Sequence, residues 1–163
     1  MRAARRAATI MPMAVKSKEI RFPVSVEWRQ GRTVAVHVPG KPELEVATPP
    51  EFWSEADPTV WSPEDAFGAA AAACLAVTIL GRAEREQLPL LGLLVEAHGI
   101  VGRRPDGRFG FMRIEQHVEI ATTPTEEARA HALVEAAEQG CLVAVSLDLP
   151  IETTVDVKVA AAR

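Results

Sequence analysis

Two thiols carry the chemical interest of this chain, Cys74 and Cys141. A cysteine can serve as nucleophile, redox centre or metal ligand, and the thiolate is the reactive form in each role. Cys74 lies in the middle of an apolar, alanine-rich segment. Burial with no positive neighbour raises a thiol's pKa and leaves it inert. Cys141 follows Gly140 at the end of a second helical pattern. That position can bring its sulfur to the core and to Cys74. The plain alternative is two small buried hydrophobes in a reducing cytosol. Two cysteines are too few for a disulfide framework, and no secretory signal pattern is read ahead of them.

Other chemistries lack their residues. His37, His98, His117 and His131 stand at no metal spacing with another His or Cys. His117 and Glu119 share a strand face, but two ligands do not make a metal site. No glycine-rich phosphate loop and no serine-nucleophile elbow occurs, so no cofactor is expected. The formal charge of −4 offers no field for a phosphate backbone, which argues against a nucleic-acid partner. Aromatic residues make up only 5%, too few for a base-stacking platform.

The elements that must hold the two thiols can be read from periodicity and punctuation. At 163 residues and 48% apolar composition the chain suits one globular domain, expected over residues 19–163. Arg2, Arg5 and Arg6 among alanines read as a dispensable flexible tail over residues 1–18, in preference to a transit peptide. Ile20 to Trp28, Thr33 to Val38 and Leu44 to Ala47 predict an antiparallel meander with one buried face. Gly31 in the Arg29-Gln30-Gly31-Arg32 turn suits a positive φ. Trp53 and Trp61, in the proline-punctuated loop that follows, are expected to plug the end of a core.

Ser62-Pro63-Glu64-Asp65 is a helix start, with Ser62 as cap, Pro63 at the first position and Asp65 as capping-box partner. The helix should run to about Gln87 and stop before Pro89. Its apolar stretch, Ala66 to Gly81, is 16 residues, short of the roughly 20 that span a bilayer, so no membrane role is expected. It is apolar all round, which calls for burial on every side. A partner subunit is the economical cover. Two long strands, Leu91 to Ile100 and Phe109 to Ile120, should follow, with Ile114, Gln116, Val118 and Ile120 on one face. A helix from Thr123 to about Gln139, a short piece from Cys141 to Leu147 and a strand from Ile151 to Val159 complete the chain.

Two stretches resemble the OsmC/organic hydroperoxide resistance family. One is Ser62-Pro63-Glu64-Asp65-Ala66-Phe67-Gly68-Ala69-Ala70-Ala71-Ala72-Ala73-Cys74, and the other is Ala136-Ala137-Glu138-Gln139-Gly140-Cys141. The order of elements agrees over roughly Val24 to Val157. The resemblance implies an α+β fold, with antiparallel sheets wrapped around long central helices in an intertwined, cytoplasmic homodimer. It also implies a thiol peroxidase that reduces organic hydroperoxides. Cys74 would form the sulfenic acid, Cys141 would resolve it as a disulfide, and a dithiol such as a lipoyl-protein would restore the pair. Glu64 matches the family glutamate. Arg29 matches the family arginine, with Arg32 as competitor. A guanidinium would supply the missing positive charge, and Glu64 could orient it.

Leu142 departs from the resemblance, because the family commonly has proline after the second cysteine. A non-catalytic dimer of the same fold, binding an apolar ligand or sensing redox state, is the rival reading. Geometry adds a constraint. Glu64 and Cys74 are ten residues apart, about 15 Å of rise on one straight helix, so a shared site requires two chains. A two-fold axis near Ala69 would bring Glu64 of one chain to Cys74 of the other.

Overall fold

The computed structural model describes residues 19–160, so the expected tail over residues 1–18 lies outside the described residues. Six strands and three α-helices follow one another as β1 (Ser25–Gln30), β2 (Thr33–His37), β3 (Leu44–Ala47), α1 (Pro63–Glu86), β4 (Leu90–Arg103), β5 (Phe109–Thr122), α2 (Glu127–Gly140), α3 (Leu142–Val145) and β6 (Ile151–Val159). They form two three-stranded sheets, β1-β2-β3 and β4-β5-β6. The mixed α+β class agrees with the sequence reading.

Local signals placed α1 well. The Asp65 N–H donates to Ser62 Oγ at 3.0 Å, and the Ser62 N–H donates back to Asp65 Oδ2 at 2.8 Å. This reciprocal pair satisfies two donors that a helix start leaves free. Gln87 closes the helix in the left-handed region at φ 53°, and the Leu88 N–H reaches back to the Ala83 carbonyl at 2.9 Å. At 24 residues α1 is long and apolar enough to cross a bilayer by length and composition. It is nevertheless seated in its own chain: Ala71, Leu75, Ile79 and Ala83 form a buried stripe at a four-residue spacing, packed against β4 and α2.

The second sheet departs from the expected antiparallel scheme. β4 and β5 form a long antiparallel hairpin, but β6 joins β5 in parallel, Ile114 beside Ile151 through Thr122 beside Val159. The cause is the connection. A turn of 3-10 helix, α2 and α3 carry the chain back along one face, and such a crossover delivers the next strand parallel. Ile114, Gln116, Val118 and Ile120 face inward as their alternation predicts. Leu133, Val134 and Ala137 of α2 complete the core with Leu75 and Ile79. Gly99 opposes Ile114, and its missing side chain admits the Phe111 ring: a Cβ there would lie 2.5 Å from Phe111 Cε1.

The first sheet corrects two further expectations. Gly31 does take a positive φ, +51°. The expected strand start at Ile20 is late, at Ser25, and every residue of β1 is exposed. Val26 and Trp28 lie opposite Val36 and Val34, so an apolar face exists. This chain leaves it open, with Trp28 70% exposed. Trp61 is also exposed and plugs nothing, while Trp53 lies under the Arg32 guanidinium. The far side of α1 shows the same pattern, with Val77 63% exposed where burial all round was expected. Periodicity identified surfaces that require cover, and one chain covers only part of them.

Two substitutions measure these supports. Ser62→Ala should lower stability to denaturant by about 1 kcal/mol through loss of the cap. Leu75→Ala should cost about 2–5 kcal/mol, because it opens a cavity in the centre of the core. Equal small effects would mean that the α1 stripe is not the core of the folded chain.

Candidate functional site

Cys74 lies on α1 between the buried stripe and the exposed face, and it is half-buried. The sharp turn that joins α2 to α3 carries Cys141, which is 2% exposed. Cys141 leaves the helical region at φ −71°, ψ 110°, and the chain re-enters a helix at Leu142. This reversal turns the start of α3 toward α1. The Val143 N–H donates to Cys74 Sγ at 3.4 Å. The Cys141 thiol and the Leu142 N–H lie near enough to favour the Cys74 thiolate. The structure therefore brings Cys74 and the turn at Cys141 together across a sequence separation of 67 residues, from position 74 to 141, near enough for each thiol to affect the other's ionisation.

The two thiols are electrostatically unlike. Burial pushes the Cys74 thiol up, but the Val143 N–H, the Cys141 thiol, the Leu142 N–H and the Thr78 hydroxyl all stabilise its thiolate. The net direction is down, to a more acidic thiol than usual. Burial also pushes Cys141 up. The Ala144 and Val143 N–H groups oppose that rise, while donation to Cys74 and the negative charge there add to it. The result is a more acidic thiol near a less acidic one. The Thr78 hydroxyl donates to the Cys74 carbonyl at 2.7 Å.

The other expected site residues stand elsewhere. Glu64 is on the first turn of α1, and the helix is continuous to Glu86, so its separation from Cys74 holds. It lines a cleft of about 690 Å³ with Trp61, Gly68 and Phe111. Its Oε2 is buried without a hydrogen-bond partner among the described residues. Arg29 does not reach Cys74 within the chain. It pairs with Glu27 at 3.1 Å and Glu43 at 2.9 Å on the first sheet. Arg32 stacks on Trp53 at 5.3 Å from the ring centre. Among the described residues, no arginine is among the groups that act on Cys74. The expectation that an apolar helix offers its cysteine no support needs correction. The support comes from backbone N–H groups, which every residue carries and no residue type announces.

One group of side chains could hold a cation. The parallel register sets Asp156 beside Glu119, and with His117 these offer three donor atoms within 4.8 Å of one another. Two of them were legible as a pair on β5, and the third needed the direction of β6. Lys158 already bonds Glu119 Oε2 and lowers its pKa.

With this geometry in hand, the comparisons are specific. The family model described as OsmC-like protein matches residues 56–156. The chain belongs to the OsmC-like family. An OsmC-like protein of unknown function from Vibrio cholerae superposes with a TM-score of 0.78 at 16% identity, covering 85% of this chain and 100% of that one. The Mycoplasma pneumoniae OsmC-like protein gives 0.75 at 19% identity, over 86% and 99% of the two chains. An organic hydroperoxide resistance protein from Elizabethkingia anophelis gives 0.71 at 23% identity, over 90% and 100%. No curated protein matches in sequence. These likenesses establish the fold.

The unequal thiols make a measurable prediction. Because the folded Cys74 is shifted down, its thiolate should form below the usual thiol range, and that of Cys141 above it. Alkylation followed by peptide mass analysis across pH should give the lower midpoint to Cys74. Thr78→Val should move that midpoint upward, since it removes one donor. Identical midpoints for the two cysteines would contradict this electrostatic picture.

Proposed function

We propose that this OsmC-like protein is a cysteine-based peroxidase of organic hydroperoxides and works as a homodimer. The observation that carries the reading is the approach of the turn at Cys141 to Cys74, whose sulfur accepts the Val143 N–H at 3.4 Å, with the Cys74 thiol shifted down and the Cys141 thiol up. The Cys74 thiolate attacks the terminal peroxide oxygen of ROOH, and the O–O bond breaks. The leaving alkoxide takes a proton and departs as ROH, and Cys74 becomes a sulfenic acid. The Cys141 sulfur then attacks Cys74, a disulfide forms and water leaves. An external dithiol, with a lipoyl-protein as the family-based choice, reduces the disulfide by exchange.

Apolar surroundings favour an alkyl substrate over hydrogen peroxide, because each buried Å² contributes about 25 cal/mol. Ala69, Ala73, Ala76, Leu80, Leu93 and Val95 line a groove of about 600 Å³ along α1. The same groove, with exposed Val77 and β1, is where a second copy would pack. Dimerisation would also supply what one chain lacks: a buried carboxylate, Glu64, and an arginine of β1–β2 brought to the partner's Cys74. Arg29 and Arg32 both remain candidates, as the charge that receives the departing alkoxide. An apolar-ligand binder is the second reading. It is favoured by the groove and by the absence of a cation acting on Cys74 within the chain.

Stopped-flow oxidation of the reduced protein by an organic hydroperoxide decides between them. Loss of two thiols per chain is expected. Cys74→Ser should reduce turnover to background, and Cys141→Ser should lose one thiol and accumulate the sulfenic acid. Unchanged thiol counts after exposure would leave only the binder. Leu80→Glu, which sets a charge in the groove, should convert a dimer to a monomer on a sizing column with loss of turnover. A fully active monomer would refute the shared site.

A further inference from the structure

The outer face of the β4-β5-β6 sheet holds chemistry that the two thiols do not use. His117 and Glu119 alternate along β5 with the buried Val118 and Ile120, which pack into the core with α1 and α2. The two polar side chains therefore point away from the helices. The parallel register sets Thr154 beside His117 and Asp156 beside Glu119. One donor atom from each of His117, Glu119 and Asp156 lies within 4.8 Å of the others.

The histidine ring is oriented from behind. Its Nδ1 lies 2.9 Å from Thr154 Oγ1, and that hydroxyl donates its proton to the Gln116 carbonyl at 3.3 Å. Toward the ring the hydroxyl can only accept, so Nδ1 carries the ring proton and Nε2 presents a bare lone pair. Nε2 faces Glu119 Oε1 at 3.8 Å and Asp156 Oδ2 at 3.7 Å. These separations are too long for hydrogen bonds. They are close to the spacing of about 3.4 Å that zinc bonds of about 2.1 Å set between tetrahedral ligands. Three electron-rich atoms around one point repel one another unless a cation lies between them. Lys158 donates to the other Glu119 oxygen, Oε2, so Glu119 stays ionised with Oε1 open.

We propose that His117 Nε2, Glu119 Oε1 and Asp156 Oδ2 form a binding site for a divalent ion of the zinc type, with water in the remaining position. One imidazole and two carboxylates suit such an ion better than magnesium or calcium, which take oxygen alone. Thr154 is a positioning residue, the outer partner that fixes the ring of a metal-bound histidine. The ion would fasten the closing strand, β6, to the middle strand, β5. The site lies across the sheet from the thiols, so it stands or falls independently of the peroxidase reading.

Calorimetric titration of Zn2+ into the metal-stripped, reduced protein tests this. One binding event per chain is expected that persists in Cys74→Ser, which sets it apart from zinc held by thiols. His117→Gln and Asp156→Asn should each weaken that event by more than about tenfold, and Thr154→Val by about tenfold through loss of ring orientation. His98→Gln, on the same face opposite Glu115, should leave it unchanged. Zinc should also raise the melting temperature, and this rise should vanish in His117→Gln. No zinc binding, or binding that His117→Gln and Asp156→Asn leave unchanged, would overturn the proposal. In the unmutated protein, saturating zinc should shift the NMR signals of the His117 ring, and a ring that stays fixed would equally overturn it.

Discussion

Cys74 is governed by a contest between burial and donation. The sulfur sits against an apolar helix, where losing water disfavours its charge. The turn at Cys141 reverses that balance by aiming backbone and side-chain donors at it. The rest of the fold can be understood as what that geometry requires. α1 must be long and straight to carry the thiol, α2 must dock on it at Leu133 and Val134, and the chain must kink between Gly140 and Leu142. Remove the kink and α2 would continue past Cys74 with its carbonyls, not its N–H groups, near the helix end.

The same balance explains the division between the thiols. Cys141 is more deeply buried and its pKa is pushed up, while that of Cys74 is drawn down. A pair of equal thiols would compete for one role. Here the surroundings make them unequal, one thiol more acidic than usual and the other less so.

Much of this was legible in the residues because the signals are local. Ser62 and Asp65 announce a cap that forms within one turn, and Gly31 announces a turn that needs its φ. Alternation along β5 reported correctly which side faces the core. Three things were not legible. Alternation cannot say which chain covers a face, so Val26 and Trp28 looked buried and are open. A strand's sequence does not carry its direction, so β6 and the approach of Asp156 to Glu119 were missed. Backbone donors have no residue signature, so the Val143 N–H that donates to Cys74 Sγ was missed.

The distance along the chain between the paired sulfurs has an effect on the molecule as a whole. A bond between Cys74 and Cys141 would close a loop of 66 intervening residues, counted as 141 − 74 − 1. Removing that much freedom from the unfolded chain is worth about 4 kcal/mol in the loop-entropy model. Each turn of a redox cycle there would tether α1 to the end of α2 and release it again, so the oxidised form would resist unfolding better than the reduced one.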